Sequence, residues 1–483
     1  MFRSCSASAF VGSDLASHSI RCSRNEIAGE ESSIRAGRGT AAIRRSLLLP
    51  VLFVLSACAQ ARPIPLDLRS FEAGLPRARR EAVPAPALAW RGATSLTLAE
   101  LRAAADETNP EIAAERKEID VSTAAIWEAR LYPNPTLLLE YEDFPVGSRS
   151  NGTARVGVRV PLVIGDRLKA GSRAAEKERE VVALRFLWRR REILLGVRKA
   201  YIDLLAARRA RDAAHESRDV ARSLLDAAEA RLAAQAAPEV EVLKSRIELS
   251  TAEAELEAAE ASVSAAGRTL EASIGPASLA ADRVVGDLAP GYAVPTFQDL
   301  RAQIEGRSAL EEIARAELAA AEAQISAARA EKTPDIELEA KAGRNGDGEG
   351  VGSLGIGIPL PFNNRNQAKV ASSEARSLQA VARVQAARQE LLRRLIAVHR
   401  DLSTAQARVT RLSTMSVPTA ETSLSQVRLG FEKGKLAYLD VIDARRSLSE
   451  TKSALAAALA QLNTAAAELE ALTGLELPPI PPK

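Results

Sequence analysis

Aromatic side chains are scarce in this 483-residue chain: Phe, Trp and Tyr make up 4% of it, although hydrophobic residues reach 46%. Compact cores are usually anchored by aromatics, so apolar content carried mainly by Ala, Leu and Val points to long, closely packed helices. Cysteine is nearly missing. Cys5, Cys22 and Cys58 all precede the region that reads as folded, so neither a disulfide framework nor a cysteine-based metal site can form in the body. Histidine is almost as rare, with His18 in the leader and His215 and His399 standing singly on helical stretches. No nucleophile motif or ligand spacing surrounds them, which argues against an enzyme. The few histidines and two methionines give no soft-ligand ladder for Cu(I) and little for zinc. Net charge is only +3, with Lys+Arg at 65 against Asp+Glu at 62, and the signs are mixed along the helices. That is a solvated, ion-paired surface, with no case for nucleic acid.

The one long apolar run, Leu47 to Leu55, is shorter than the roughly 20 residues a membrane-spanning helix needs and comes after Arg44 and Arg45. It suits the h-region of a secretory signal peptide. Its end, Leu55-Ser56-Ala57-Cys58, resembles the lipobox of bacterial lipoproteins, which would make Cys58 the acylated first residue of the mature chain. In that resemblance Ala59 favours sorting to the outer membrane. The alternative is an ordinary signal peptide with a chance cysteine. Residues upstream of Arg44 are too many for an n-region, which implies translation starting later than Met1. Residues 1–57 are therefore assigned to leader and signal peptide, and the Pro/Arg-rich residues 58–95 to a lipid-anchored tether.

The rest of the chain is built on a unit that occurs twice. Residues 96–275 and 297–474 run element for element, with Pro135 recurring as Pro334 and Pro161 as Pro359, an offset of about 200 residues. Residues 276–296 link the copies and 475–483 form a tail. A period this long implies a duplicated supersecondary assembly and excludes a stacked solenoid.

Each copy predicts one very long helix. Arg167 to Gln235 is free of proline and would extend about 104 Å; Asn366 to Leu429 would extend about 96 Å, with one soft interruption at Pro418. Charges recur every few residues in both. Ile193, Val197, Ala200, Leu204 and Ala207 make one apolar stripe and Leu187, Leu194 and Tyr201 a second, so this helix must be touched on two sides. Pro238–Gly275 with Leu96–Leu131 comes to about 111 Å, and Leu436–Gly474 with Phe297–Ala330 to about 109 Å. Two shorter helices stacked end to end would thus flank each long one, and such a set can close into a hollow cylinder.

Between the helices the period changes to two. Val156, Val158, Val160 and Leu162 alternate with Arg155, Gly157, Arg159 and Pro161; Ile336, Leu338, Ala340 and Ala342 alternate with Asp335, Glu337, Glu339 and Lys341. Leu354, Ile356, Ile358 and Leu360 alternate with Ser353, Gly355, Gly357 and Pro359, and Leu137, Leu139 and Tyr141 do so less cleanly because Leu138 breaks the polar side. These runs have the length of tilted transmembrane strands with apolar residues toward lipid, placing Arg155, Arg159, Glu337 and Glu339 toward a wet lumen. The competing reading is a small soluble sheet packed on helices. Asp143 to Gly152 and Gly343 to Gly352 read as loops on the outer face. Four strands leave two open edges, which a bilayer does not tolerate, so closure must come from other copies; three would give twelve strands.

With these elements in place, Leu96 to Gly474 resembles the TolC-type outer-membrane efflux factors. GFEKGKLAYLDVIDAR, Gly430 to Arg445, is similar to that family's periplasmic tip turn, including Gly430, Phe431 and Gly434. By match, Asp440 and Asp443 are the aspartates ringing the constricted aperture. IPLPFNNRNQAKVASSEA, Ile358 to Ala375, with LYPNPTLLLEYED resembles the cobalt-zinc-cadmium heavy-metal branch. The resemblance implies a mainly α protein with transmembrane β: a homotrimer whose twelve-stranded outer-membrane barrel continues as a long periplasmic α-helical barrel. It implies an inner-membrane efflux pump and a periplasmic adaptor protein as partners, outer-membrane lipid as surroundings, no cofactor beyond lipid at Cys58, and passive conduction of substrate. Heavy-metal cations as substrate rest on the likeness alone. Phe431 stands where the best-known members carry a tip tyrosine, and Leu436, beside Lys435, where they carry a latching arginine. The first-repeat tip lacks the glycines and paired aspartates and offers Glu241 and Lys244.

Independently of the likeness, Asp440 and Asp443 lie three apart at a helix start, share a face and complement the helix dipole. Threefold symmetry would gather them around one axis; plain helix-start capping is the alternative. In another functional class stands a periplasmic adaptor or coiled-coil scaffold lipoprotein. It would need one helical hairpin with flanking β domains, whereas this chain has two hairpins, each interrupted by amphipathic strands.

Overall fold

The computed structural model describes residues 95–142, 152–275, 281–305, 308–433 and 435–480. Cys58, Gly434, the signal peptide, nearly all of the tether and most of the 143–152 loop lie outside them.

The expected Leu96–Leu131 helix is broken into α1 (Leu98–Thr108) and α2 (Pro110–Glu128). Pro110 has no N–H and pushes the preceding residue out of the helical region, so Asn109 sits at φ −69, ψ 121. The Asn109 side chain then accepts from the Glu111 and Ile112 amides and caps α2. Two strands come next, β1 (Thr136–Glu142) and β2 (Thr153–Leu162). The long helix α3 (Arg167–Ala233) is unbroken over 67 residues, and α4 (Glu239–Ile274) returns beside it.

The same order of elements runs a second time. Phe297–Ala330 also divides, into α5 (Phe297–Ile304) and α6 (Ala309–Ala330), because the chain is extended at Glu305 and Ser308. Strands β3 (Ile336–Arg344) and β4 (Gly350–Gly357) lead to α7 (Gln367–Arg411), α8 (Val417–Glu432) and α9 (Tyr438–Thr473). Between α7 and α8 the axis continues through a π-helical turn, Leu412–Ser416, in which the Val417 amide reaches back to the Leu412 carbonyl. The interruption expected at Pro418 therefore falls just ahead of it. A wider turn accommodates a proline ring that would press on an earlier carbonyl in a regular α-helix.

The four strands form one antiparallel sheet in the order β1-β2-β3-β4. Among the described residues it packs substantially on no helix, which overturns the reading of a small sheet laid on helices. Two strand expectations are corrected. β4 ends at Gly357, short of Leu360, where its pairing with Glu337 near the start of β3 stops. Half of the 343–352 segment is strand, and the turn shrinks to residues 345–349, closed by the Asn345 amide on the Glu349 carbonyl at 3.0 Å and the Glu349 amide on Asn345 Oδ1 at 2.8 Å.

Helix α3 is the spine, packed against α2, α4, α6 and α9, and both of its apolar stripes turn inward. End-to-end stacking in the first half is fixed by hydrogen bonds: Asn109 Nδ2 donates to the Ser273 carbonyl and Thr108 Oγ1 to that of Ile274. Gly275, at φ 118, lies so close that a Cβ would sit 2.8 Å from the Thr108 carbonyl oxygen.

The described part of the inter-repeat segment, residues 281–296, straps the helices together. Leu96 bridges Val284, and Tyr292 bridges Pro479 of the tail. Buried Asn463 on α9 receives the Tyr292 hydroxyl at 2.7 Å and the Ala289 amide at 3.1 Å, and donates to the Ala289 and Leu459 carbonyls. Every polar valence of this amide is occupied, so burial costs it little.

Candidate functional site

The sheet separates charge from oil. In register, Leu137, Val158, Ala340 and Leu354 form one row on one face, and Leu139, Val156 and Ala342 the next. Leu354 is 90% exposed and Leu139 73%, in a chain that buries comparable residues elsewhere. A face of Leu, Val and Ile left bare is stable only against an apolar surrounding.

The opposite face is a network of ion pairs. Arg155 on β2 meets Glu142 on β1 at 2.7 Å. Arg159 lies 3.6 Å from Glu337 and 3.4 Å from Glu339 on β3. Lys341 joins Glu140 at 2.5 Å and also pairs with Glu339. Arg155, Arg159, Glu337 and Glu339 are thus brought together on one face, as their alternation requires. Lys341 and Glu140 belong with them. Sequence reasoning misses these two as site residues, because nothing in a one-dimensional pattern says that β1 and β3 are close enough to share a salt bridge.

At the far end of the helices two turns meet. Between α8 and α9 the chain reverses on Gly430, whose carbonyl accepts from the Lys435 and Leu436 amides at 2.8 and 3.3 Å. Leu436 lies against it, since a Cβ on Gly430 would fall 2.5 Å from Leu436 Cδ1. Phe431 is buried, with its ring 5.9 Å from that of Tyr438 and the Arg231 guanidinium 4.5 Å above it. Arg231 also pairs with Glu241 at 3.1 Å, so the cation from the end of α3 ties both turns together. Where the resemblance led to a tyrosine and a latching arginine, this chain uses a phenylalanine under an arginine from the other hairpin.

Asp440 is in the first turn of α9 and accepts the Ala437 amide at 2.9 Å, so it is a helix cap in addition to any other role. Asp443 is exposed one turn on. Behind this pair, Arg445 donates to Ser217 Oγ on α3 at 2.6 Å and to Glu248 on α4 at 2.8 Å, while Arg446 pairs with the other Glu248 oxygen. Arg445 is 3% exposed and Glu248 7%. The sequence does carry a signal for them. Arg445 falls on the stripe Tyr438, Val441, Ile442, Leu448, and Glu248 on the stripe Val242, Ser245, Leu249, Ala252, each a charge at a core position.

Among the described residues no helix is long and apolar enough to cross a membrane, and no group of three or more His, Cys, Asp or Glu is placed to hold a metal ion. His215 lies 3.1 Å from Asp219 and beside Arg218 on the exposed flank of α3.

The sequence and the fold of this chain recur in known proteins. Over 391 residues, 80% of this chain and 92% of the relative, it is 30% identical to the cobalt-zinc-cadmium resistance protein CzcC of Cupriavidus metallidurans. In fold it is similar to the outer-membrane channel OprN (TM-score 0.67, 17% identity, 85% of this chain and 95% of that one). It is likewise similar to the outer membrane protein VceC of Vibrio cholerae (TM-score 0.62, 20% identity, 78% of this chain and 96% of that one). Residues 101–276 and 304–475 each match the outer membrane efflux protein family, and to that family the chain belongs.

Proposed function

We propose that three copies of this chain close into a twelve-stranded outer-membrane barrel, continued into the periplasm by a cylinder of helices, as the passive exit channel of a tripartite efflux system. The observation that carries the reading is the sheet. One face is apolar and bare, the other is charged, and strands β1 and β4 each leave one edge unpaired among the described residues. In a bilayer every backbone amide and carbonyl must be paired, which a closed ring of three such sheets achieves and a single sheet does not. Polar faces then line the lumen. An adaptor or scaffold lipoprotein would have no use for such a sheet between helices.

An inner-membrane pump and a periplasmic adaptor supply the substrate and the driving force, and Cys58 anchors the mature chain to lipid of a Gram-negative outer membrane. The likeness to CzcC supports heavy-metal cations as the cargo. No catalysis is needed, because conduction through an open lumen follows the gradient the pump maintains.

The test is the mass of the detergent-solubilised protein together with its conductance in planar bilayers. A trimer that forms ion-conducting pores is expected. A stable monomer or dimer with full β content, or a trimer that forms no pore, overturns the reading.

A further inference from the structure

Lys341 lies opposite Gly157 on β2 and Ser353 on β4, yet besides Glu339 on its own strand it pairs with Glu140 on β1, two strands away. Strands β1 and β3 are separated by roughly twice the inter-strand spacing of about 4.8 Å, so the lysine must cross β2 to reach it. Gly157 is what lets it cross. A Cβ at that position would stand 2.5 Å from Lys341 Cγ and 2.6 Å from the Ala340 carbonyl oxygen. The missing side chain is a notch through which the lysine stem passes.

The consequence is electrostatic. The charged face carries Arg155, Arg159 and Lys341 against Glu140, Glu142, Glu337 and Glu339. The arginines are committed to Glu142 and to the Glu337–Glu339 pair, which leaves Lys341 as the cation facing Glu140 and sharing Glu339. We infer that Lys341, seated through the Gly157 notch, is a specificity-determining residue that holds the channel wall near electrical balance and keeps the barrel from acting as a cation filter. The inference rests on the polar sheet face being the lumen. For a conduit this makes sense: a wall of unpaired carboxylates would retain cations that must leave.

The test reads potential at the wall, so a constriction elsewhere cannot mask it. Ser353→Cys, in the same row as Lys341, is placed in the assembled protein in vesicles and modified with a cationic and an anionic methanethiosulfonate reagent. The same protein without the new thiol is the blank. With Lys341→Gln added, the cationic-to-anionic rate ratio should rise about threefold at 0.1 M salt and return toward the parent value at 1 M. Adding Glu140→Gln as well should bring the ratio back, since one charge of each sign is then gone. Glu140→Gln alone should move it the opposite way, which decides the matter even if Lys341→Gln does not assemble. An unchanged ratio in the single variants, or a double variant that stays shifted, overturns the inference. A Ser353→Cys thiol inert to both reagents overturns the lumen reading itself.

Discussion

The Arg445 guanidinium donates to the Glu248 carboxylate at 2.8 Å, both side chains buried where α3, α4 and α9 converge. The pair joins the two hairpins of one chain behind the tip. Because two charges are sequestered together, neither can be lost cheaply, whereas losing both costs far less.

Arg445→Leu should therefore destabilise the helical end by roughly 3–5 kcal/mol, since Glu248 would keep only Arg446, which is exposed on its own helix. The double variant Arg445→Leu/Glu248→Leu should recover most of that loss. Denaturation midpoints of the assembled protein measure both. A double variant as damaged as the single would mean that packing, and not charge, holds the junction.

Replacing Asp440 and Asp443 with Asn keeps size and leaves an acceptor for the Ala437 amide, so the channel should still assemble. If threefold symmetry gathers these residues at the aperture, cation preference in planar bilayers should fall at low salt. The difference should fade as the screening length drops from about 10 Å at 0.1 M to about 3 Å at 1 M. Unaltered selectivity would leave Asp440 a helix cap and nothing more.

Burial raises the Tyr438 hydroxyl above the ordinary tyrosine value, by more than the neighbouring Ser245 lowers it. Ionisation is then harder in the folded than in the unfolded chain. The contribution of this group is fully present below the unfolded value of about 10 and is lost as pH rises through the higher folded one. Tyr438→Phe should accordingly flatten the alkaline decline of stability, measured as the unfolding midpoint from about pH 9 upward. A decline of the same steepness in both proteins would assign it to other groups.

The sequence Leu55-Ser56-Ala57-Cys58 leads to lipidation at Cys58. Metabolic labelling with a palmitate analogue should mark the parent protein and not Cys58→Ala. Label retained by the variant would place the anchor elsewhere.

Much of this architecture is legible without coordinates. Uninterrupted Ala, Leu, Glu and Arg from Arg167 onward specify a long helix, since propensity and the 3.6 period act locally and agree along its length. Alternation at Val156 to Leu162 and at Ile336 to Ala342 specifies strands with one polar face. Periodicity therefore settles element type and facing.

It cannot settle which charge meets which. Lys341 reaches Glu140 only because the register sets a glycine between them, and Arg445 finds Glu248 and Ser217 only where α9 meets the α3–α4 hairpin, which is distant from it in sequence. The strap on Tyr292 and Asn463 likewise depends on neighbours far along the chain, whereas the break at Asn109 is local to Pro110. A local pattern reports the face on which a side chain lies. The partner waiting at that face is decided by packing, because burying a charge or an amide is tolerable only where the tertiary structure delivers its complement.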